Sequence, residues 1–553
     1  MSEITGFQKQ KYKDRVGIKN VHDIADSAEI AVGSGNLRPL DNRGFAISLG
    51  YACFALLLLT LANVFNYFDR YLMSVTAEYV KADLKLTDAE LGFLFGTAFS
   101  LLFGVVGIPM GRLSDHISRT KLTAYGLAWW SAMTGLAGGA GNFGQFAGAR
   151  IGVGLGEAVL NPCSHSLISE YFPANVRSTA LGFYFAGAFV GVGGAFVVGG
   201  YAVTHWAEIC TVIPLEAACR VRPWQAAFVL AAVPGILLAV LIAGLREPAR
   251  RRPAVPHSTT AMMRELLVVI PFCNLVELAR LGGGRAVSRN VLIAGALALA
   301  VILLSLISGD WYQWLAASIS VYALSSWAQS IHLREPGVFA LTFGDRSFRL
   351  IMFSTALIAV VTTTVEIWAA PFAIRSLKLP AAQVGLYLGT ATVIASVAGG
   401  IIGGVVADWW KRHDRRAPIW INLLSLLLPL PALIGMVSAR TLQEYFVSYG
   451  FFCLFAHINA APVGALIQDL SLPRMRGTVS AVNAMVILTF ATSIGPYLTG
   501  KVSTATGSLA LGMLSLLVFV PAAIIVSLLA AKSVVGERIE ERELRAAQAD
   551  AGR

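Results

Sequence analysis

Asp69 and Arg70 stand where so apolar a stretch gives charge little shelter. They close the run Asn66-Tyr67-Phe68-Asp69-Arg70, with an almost purely hydrophobic stretch from Tyr51 to Asn63 before it and Tyr71-Leu72-Met73-Ser74-Val75 after it. In a membrane helix each of these charges is costly unless it faces a partner or a water-filled cavity. The plainer alternative is a helix end at the headgroups, with Arg70 snorkelling outward. A second charged pair, Arg150 and Glu157, is spaced by seven residues, hence two turns along one helix face and about 10 Å in rise. Gly152, Gly154 and Gly156 lie between them and let another helix approach closely. Burial raises the proton affinity of a carboxylate and a neighbouring guanidinium lowers it. A carboxylate that alternates between those surroundings takes up and releases a proton without metal or nucleotide. A static buried ion-pair network is the competing reading.

Other polar residues in apolar runs carry a weaker signal. Glu366 sits among Thr362, Thr363, Thr364 and Trp368, and an acid there is either cavity-lining or locally satisfied. Asn161 and His165, and His457 with Asn459, suit interhelical hydrogen bonding as well as substrate contact. Arg70, Glu366, His165, Asn161 and His457 are therefore the candidates for a substrate or charge partner. Tyr67, Phe68, Phe99, Tyr184, Trp368 and Phe372 can line an apolar cavity, though packing explains each equally well. No Cys/His spacing fits a metal site, no nucleophile–base set is apparent, and no Walker sequence is present. The expectation is a protein without cofactor or metal that is not an enzyme and is not driven by its own ATP hydrolysis.

The elements that must position these residues are membrane helices. Of the 553 residues 56% are hydrophobic and only 14% charged, against roughly a quarter charged in soluble domains. With about 20 apolar residues needed per crossing, candidate spans fall at 48–79, 89–111, 120–140, 144–169, 177–202 and 224–245, then at 348–374, 383–407, 418–438, 442–467, 477–500 and 507–531. Val291–Ser308 and Trp311–Ile331 form two further apolar stretches, expected to be a transmembrane hairpin inserted near 291–331. The whole is an all-α polytopic membrane protein of about fourteen helices: a basic tail (1–47), a six-helix bundle (48–245), a central cytoplasmic segment carrying the hairpin (246–347), a second bundle (348–531) and a tail (532–553). Met262–Leu281 is expected along the inner surface, broken at Pro271. Arg112, Arg119 and Lys121, the arginines from Arg246 to Arg289, and Lys411, Arg412, Arg415 and Arg416 fall in alternate loops, which places both termini in the cytoplasm. The same distribution explains the net charge of +11 without nucleic acid. Cys210 and Cys219 share one outer loop, where the compartment permits a disulfide; the sequence leaves their pairing open.

The two bundles repeat each other. Gly111-Arg112-Leu113-Ser114-Asp115 with Arg119 and Lys121 follows the second span, and Gly404-Val405-Val406-Ala407-Asp408 with Lys411 and Arg412 follows the eighth. Pro173-Ala174-Asn175-Val176-Arg177 opens the fifth span as Pro473-Arg474-Met475-Arg476-Gly477 opens the eleventh. Such duplication implies two bundles about a pseudo-twofold axis, with a site between them near the midplane. Gly111, Asp115, Arg119, Lys121, Asp408, Lys411 and Arg412 are then read as cytoplasmic gating loops, their Asp latching a helix N-terminus or an Arg of another segment. A solvated charged turn is the alternative.

These features resemble the major facilitator superfamily and, in the first half, its spinster-like (sphingolipid and lysolipid transporter-related) branch. The resemblance rests on Asn66–Arg70, Gly111–Lys121, Ala149-Arg150-Ile151-Gly152-Val153-Gly154-Leu155-Gly156-Glu157-Ala158, Ser166–Pro173 and Leu245-Arg246-Glu247-Pro248. It covers residues 50–250 well, 345–530 more loosely, and the hairpin not at all. His116 and Ser118 depart from the residues usual in the loop. The resemblance implies that the first and fourth spans line a central cavity, bringing Asp69, Arg70, Arg150 and Glu157 into one set. It further implies that Asp69, Arg150 and Glu157 serve proton coupling, and that a monomeric unit in the plasma membrane (the inner membrane of a Gram-negative cell) moves a small molecule with protons. A lysolipid- or sphingoid-like anion, with export the favoured direction, is the first expectation. Import of a small organic acid clamped by Arg70 or Arg150 is the second, and a non-transporting membrane sensor the third.

Overall fold

The computed structural model describes residues 47–114, 117–212, 219–249, 270, 273–472, 475–534 and 539–551. Among them eleven helices are long and apolar enough to cross a membrane. Arg119–Gly138, the fourth span (Phe143–Glu157 continuing as Leu160–Tyr171) and Trp311–Arg334 bring the bundle to fourteen. Each of the twelve expected bundle spans is present, with its ends within a few residues of those expected. The helices start where the chain offers a cap: Ser48, Asn142 and Asp345 each accept an amide of the first turn, and Thr87 with Glu90 and Thr441 with Glu444 form reciprocal capping boxes. The first span (Leu49–Leu84) and the seventh (Arg346–Leu377) both end on a lysine in the left-handed region, Lys85 at φ 55° and Lys378 at φ 53°. The internal repeat thus extends to backbone conformation.

What the apolar pattern does not reveal is where the spans break. The second span divides at Gly96 into Asp88–Phe95 and Thr97–Ser114. The fourth breaks just after Glu157, and the tenth (Leu442–Ala456, then Ala460–Asp469) breaks at His457. The eleventh (Arg476–Ile487, then Ser493–Thr506) carries a π-helical turn over Leu488–Thr492, followed by Pro496. Proline at 496 denies the Thr492 carbonyl its usual donor, and Gly96 of the second span backs onto that carbonyl so closely that any side chain there would overlap it.

The halves meet at their outer ends and near mid-membrane. Gly193 abuts Gly389 and Gly200 abuts Ala381, joining the fifth span (Ala174–Thr204) to the eighth (Ala381–Lys411). Gly92 and Gly500 likewise bring the second and eleventh spans into backbone contact. These backbone contacts close the seam between the halves on the outer side. Cys210 and Cys219 form a disulfide in the outer loop between the fifth and sixth spans.

The hairpin is present, and its first helix is more than a span. Cys273–Ser308 is interrupted at Gly283 (φ 62°), and Asn274 donates to Asn290 at 3.1 Å. In a straight helix those residues would be about 24 Å apart, so the chain doubles back at Gly283. The segment Cys273–Leu281 therefore packs on the hairpin instead of spreading along the inner surface; residues 262–269 and Pro271 lie outside the described residues.

Candidate functional site

The glycines between Arg150 and Glu157 each admit a different neighbour. A Cβ at Gly154 would overlap the Phe99 carbonyl of the second span, one at Gly156 would meet Gly126 and Trp130 of the third, and one at Gly152 would press on Met133. This close packing fixes the fourth span against the second and third. Arg70 Nε then donates to Glu157 Oε2 at 2.7 Å, with the Glu157 side chain fully buried and that of Arg70 15% exposed. The guanidinium of Arg70 lies 4.4 Å from the Phe99 ring centre and 5.1 Å from those of Tyr67 and Phe103. Arg150 approaches the same Phe99 ring at 5.6 Å and donates to the backbone carbonyls of Asp69 and Leu94 at 3.3 and 3.4 Å. Asp69 Oδ2 accepts from the Thr134 hydroxyl at 3.1 Å, while Asp69 Oδ1 and Glu157 Oε1 have no hydrogen-bond partner among the described residues.

All four charged residues thus share one cluster, and the fold sets which of them pair. Arg150 and Glu157 share a helix face, yet two turns of rise keep them from bonding each other. Arg70 takes Glu157, and no cation reaches the Asp69 carboxylate within ion-pair distance among the described residues.

In the second half Glu366 and His457 come together across the seventh and tenth spans, Nε2 to Oε1 at 3.5 Å, and Tyr71 of the first span donates to Glu366 Oε2 at 3.3 Å. The repeat clarifies this pair. Pro173 and Pro473 differ by 300 in number, and so do Glu157 and His457. Each half therefore joins its first helix to the break in its fourth, with the order of charge reversed: Arg70–Glu157 in one, Glu366–His457 in the other. The His457 ring also packs on Phe189 of the opposite half, with ring centres 4.9 Å apart.

A family model described as Major Facilitator Superfamily matches residues 59–496 of this chain. The chain belongs to that superfamily. An MFS-type efflux pump of Mycolicibacterium smegmatis is 26% identical over 477 residues, which cover 83% of this chain and 87% of the pump. Protein spinster of Drosophila melanogaster is 22% identical over 82% of this chain and 62% of its own length. A probable L-galactonate transporter of Escherichia coli is 34% identical, over 34% of this chain and 37% of that protein. Among solved structures, a bacterial homologue of the human lysosomal transporter spinster, in an inward-facing and unoccupied conformation, superposes with a TM-score of 0.66 at 20% identity, covering 88% of this chain and 98% of that one. This superfamily member is a multi-pass protein of the plasma membrane, and its relatives are transporters.

The remaining sequence candidates occupy less central places in this facilitator fold. Asn161 accepts from Tyr184 at 2.8 Å, and His165 packs edge-on against Tyr184 and Phe185, with its Nε2 unpartnered among the described residues. Both serve the contact between the fourth and fifth spans. In the first gating loop Asp115 lies outside the described residues, Gly111 is near the inner end of the second span, and the Lys121 side chain is exposed. Arg119 binds within its own half, Nε to Glu247 at 2.7 Å and Nη1 to Ser166 at 2.8 Å, with Glu170 at 3.9 Å. Lys411 pairs with Asp469 at 2.6 Å, while Asp408 and Arg412 are exposed. Glu170 and Asp469 close corresponding spans, so the loops repeat each other's contacts, but in this state neither Arg119 nor Lys411 latches the opposite half. Glu247 also accepts the Thr120 amide at 3.0 Å at the positive end of the third span. Burial alone would raise its pKa, and the Thr120 amide and Arg119 outweigh it, so the carboxyl is held below the usual range. Its contribution to stability is present above the unfolded value and lost as pH falls through the lowered one.

Sequence reasoning missed the outer lock. Arg375 of the seventh span makes paired contacts with Glu78 at 2.7 and 3.2 Å and with Asp88 at 2.7 Å, both in the first half; Lys81 reaches Asp88 at 2.6 Å, and Ser503 of the eleventh span donates to the same carboxylate at 2.6 Å. The outer loops are mixed in sign, and only the fold brings residue 375 to residues 78 and 88. Thr134 and Tyr71 escaped for a related reason: a hydroxyl in an apolar run has no distinguishing pattern. Arg375→Met should open this seam. A cysteine at Ala381, buried in the outer contact, should react several-fold faster with an impermeant maleimide added outside. An unchanged rate would mean that the lock does not hold the outer side closed.

Proposed function

We propose that this protein is a proton-coupled secondary transporter moving a lipophilic or amphiphilic organic anion by alternating access, with Asp69 and Glu157 handling the proton and Arg150 bracing the cluster. The carrying observation is Arg70 within its collar of Phe99, Tyr67 and Phe103. Of the two arginines only Arg70 retains exposure, so it is the one able to meet an anionic headgroup while the aromatic rings take the apolar body. An anion on Arg70 competes with Glu157, and a proton on Glu157 removes that competition. Substrate and proton thereby favour each other. The spinster and efflux-pump relatives support an amphiphile as the anion, and the mutual support of substrate and proton means that the two move in the same direction. Glu366 with His457 supplies a second charged partner of opposite order. The monomer contains both halves and is taken as the transport unit.

The galactonate-type relative favours a second reading, import of a small hydrophilic organic acid by proton symport with the same Arg70 as clamp. Proteoliposomes loaded with radiolabelled lysolipids or sugar acids, measured with and without a pH gradient, separate the two. Gradient-dependent flux of a lysolipid is the expected result. Flux confined to sugar acids would establish the second reading, and binding without flux of either class would make the protein a sensor.

A further inference from the structure

The inserted hairpin has no role in the site, yet its outer turn is bonded to both halves of the transporter. Gln313, fully buried, lies with Oε1 2.8 Å from the Thr97 hydroxyl of the second span and donates through Nε2 to the Ser493 carbonyl of the eleventh at 3.1 Å. Thr97 also reaches that carbonyl at 3.1 Å, and Ser100 and Ser493 share a hydrogen bond of 2.8 Å beside it. Three elements therefore close one buried polar knot. On either side the turn grips a different half. Asp310 accepts from Lys501 at 2.7 Å and Tyr497 at 2.8 Å on the eleventh span. Tyr312 packs edge-on against Phe93 of the second span and Phe143 of the fourth, with ring centres 5.0 and 5.3 Å apart. Deeper in, Ala323 and Ile319 pack on Val105 and Val106 of the first half, while Trp327 and Ile331 join the core around Ile351 and Met352 of the second.

We infer that the hairpin is a brace across the seam of the second and eleventh spans, setting how readily the outer side opens. This rests on the alternating-access reading. Outward opening must part Gly92 and Gly96 from the eleventh span, and it cannot do so with Gln313 bonded to both sides. The hydrogen bonds are worth more in this dry setting than at a surface, because water is not there to replace either partner. The polar network at the other end of the hairpin, Asn274, Asn290, Tyr322, Ser326 and Gln329, has a different job. Among the described residues it joins hairpin residues only to one another, and it keeps the two helices in register.

Spin labels at the exposed outer residues Ala82 and Thr506, in the full chain with its four free cysteines replaced, report the opening as a distance distribution. Gln313→Leu, which keeps the volume and removes both bonds, should raise the ratio of long to short distances by about fivefold, the scale of one net buried hydrogen bond. Asp310→Asn, near the surface, should shift it the same way by less and covers the case in which the Gln313 variant fails to fold. Gln329→Leu, inside the hairpin network, should leave the distribution in place. A wild-type protein with two populations that neither Gln313→Leu nor Asp310→Asn shifts would overturn the brace. A wild-type protein with a single distance at every pH and with every substrate would overturn alternating access itself.

Discussion

Arg70→Ala is expected to destabilise this protein more than any other single change in the site. The substitution leaves Glu157, fully buried and bonded through only one of its two oxygens, without its cation. Removing one member of a buried pair costs about 3–5 kcal/mol, most of it the burden of the charge left behind. The measurement is a double-mutant cycle on thermal unfolding in detergent, with Arg70→Ala, Glu157→Ala and the double variant. The double variant should recover much of the loss, since it buries no unpaired charge, while transport stays absent because the substrate's cation has gone. If Arg70→Ala unfolds at the wild-type temperature, the pair is not formed in the resting protein, and the account of competition between substrate and Glu157 falls with it.

Asp69→Asn should separate transport from its driving force. The amide is isosteric and can still accept the Thr134 hydroxyl, so folding should be retained; what it cannot do is bind and release a proton. Gradient-driven flux should fall by roughly 5- to 150-fold, the usual span of coupling free energies, while exchange of labelled for unlabelled substrate without a gradient continues. Should gradient-driven flux survive, the proton site lies elsewhere, and Glu366 with Tyr71 and His457 around it is the next to substitute. Loss of both gradient-driven flux and exchange would instead place Asp69 in substrate binding.

The two clusters also suggest how the halves communicate. Tyr71 follows Arg70 directly on the first span, yet its hydroxyl reaches Glu366 in the second half. A displacement of the first span at Arg70 would therefore bear on a bond that crosses the interface. The outer lock at Arg375 lies on the same helix as Glu366, about two and a half turns further on. The Arg70 cluster, the Tyr71–Glu366 bond and the Arg375 contacts thus lie along two helices.

Much of this was legible in the chain. The twelve spans, the hairpin, the orientation and the repeat follow from apolar length, basic loops and two repeated loop patterns, because a bilayer imposes helix length and hydrogen-bond closure on any sequence that crosses it. Charge inside a span is so costly that Asp69, Arg70, Arg150, Glu157 and Glu366 announce themselves. Partners do not. Helix rotation and the breaks after Glu157 and at His457 decided that Arg70 takes Glu157, that Asp69 has only a hydroxyl, and that Glu366 answers to Tyr71. Hydropathy is averaged over a window and carries no rotational phase, so it cannot see these choices. The Arg375 lock and the Gln313 knot were invisible for the same reason. Each joins residues hundreds of positions apart through side chains common in any loop or helix end, and only packing makes them neighbours.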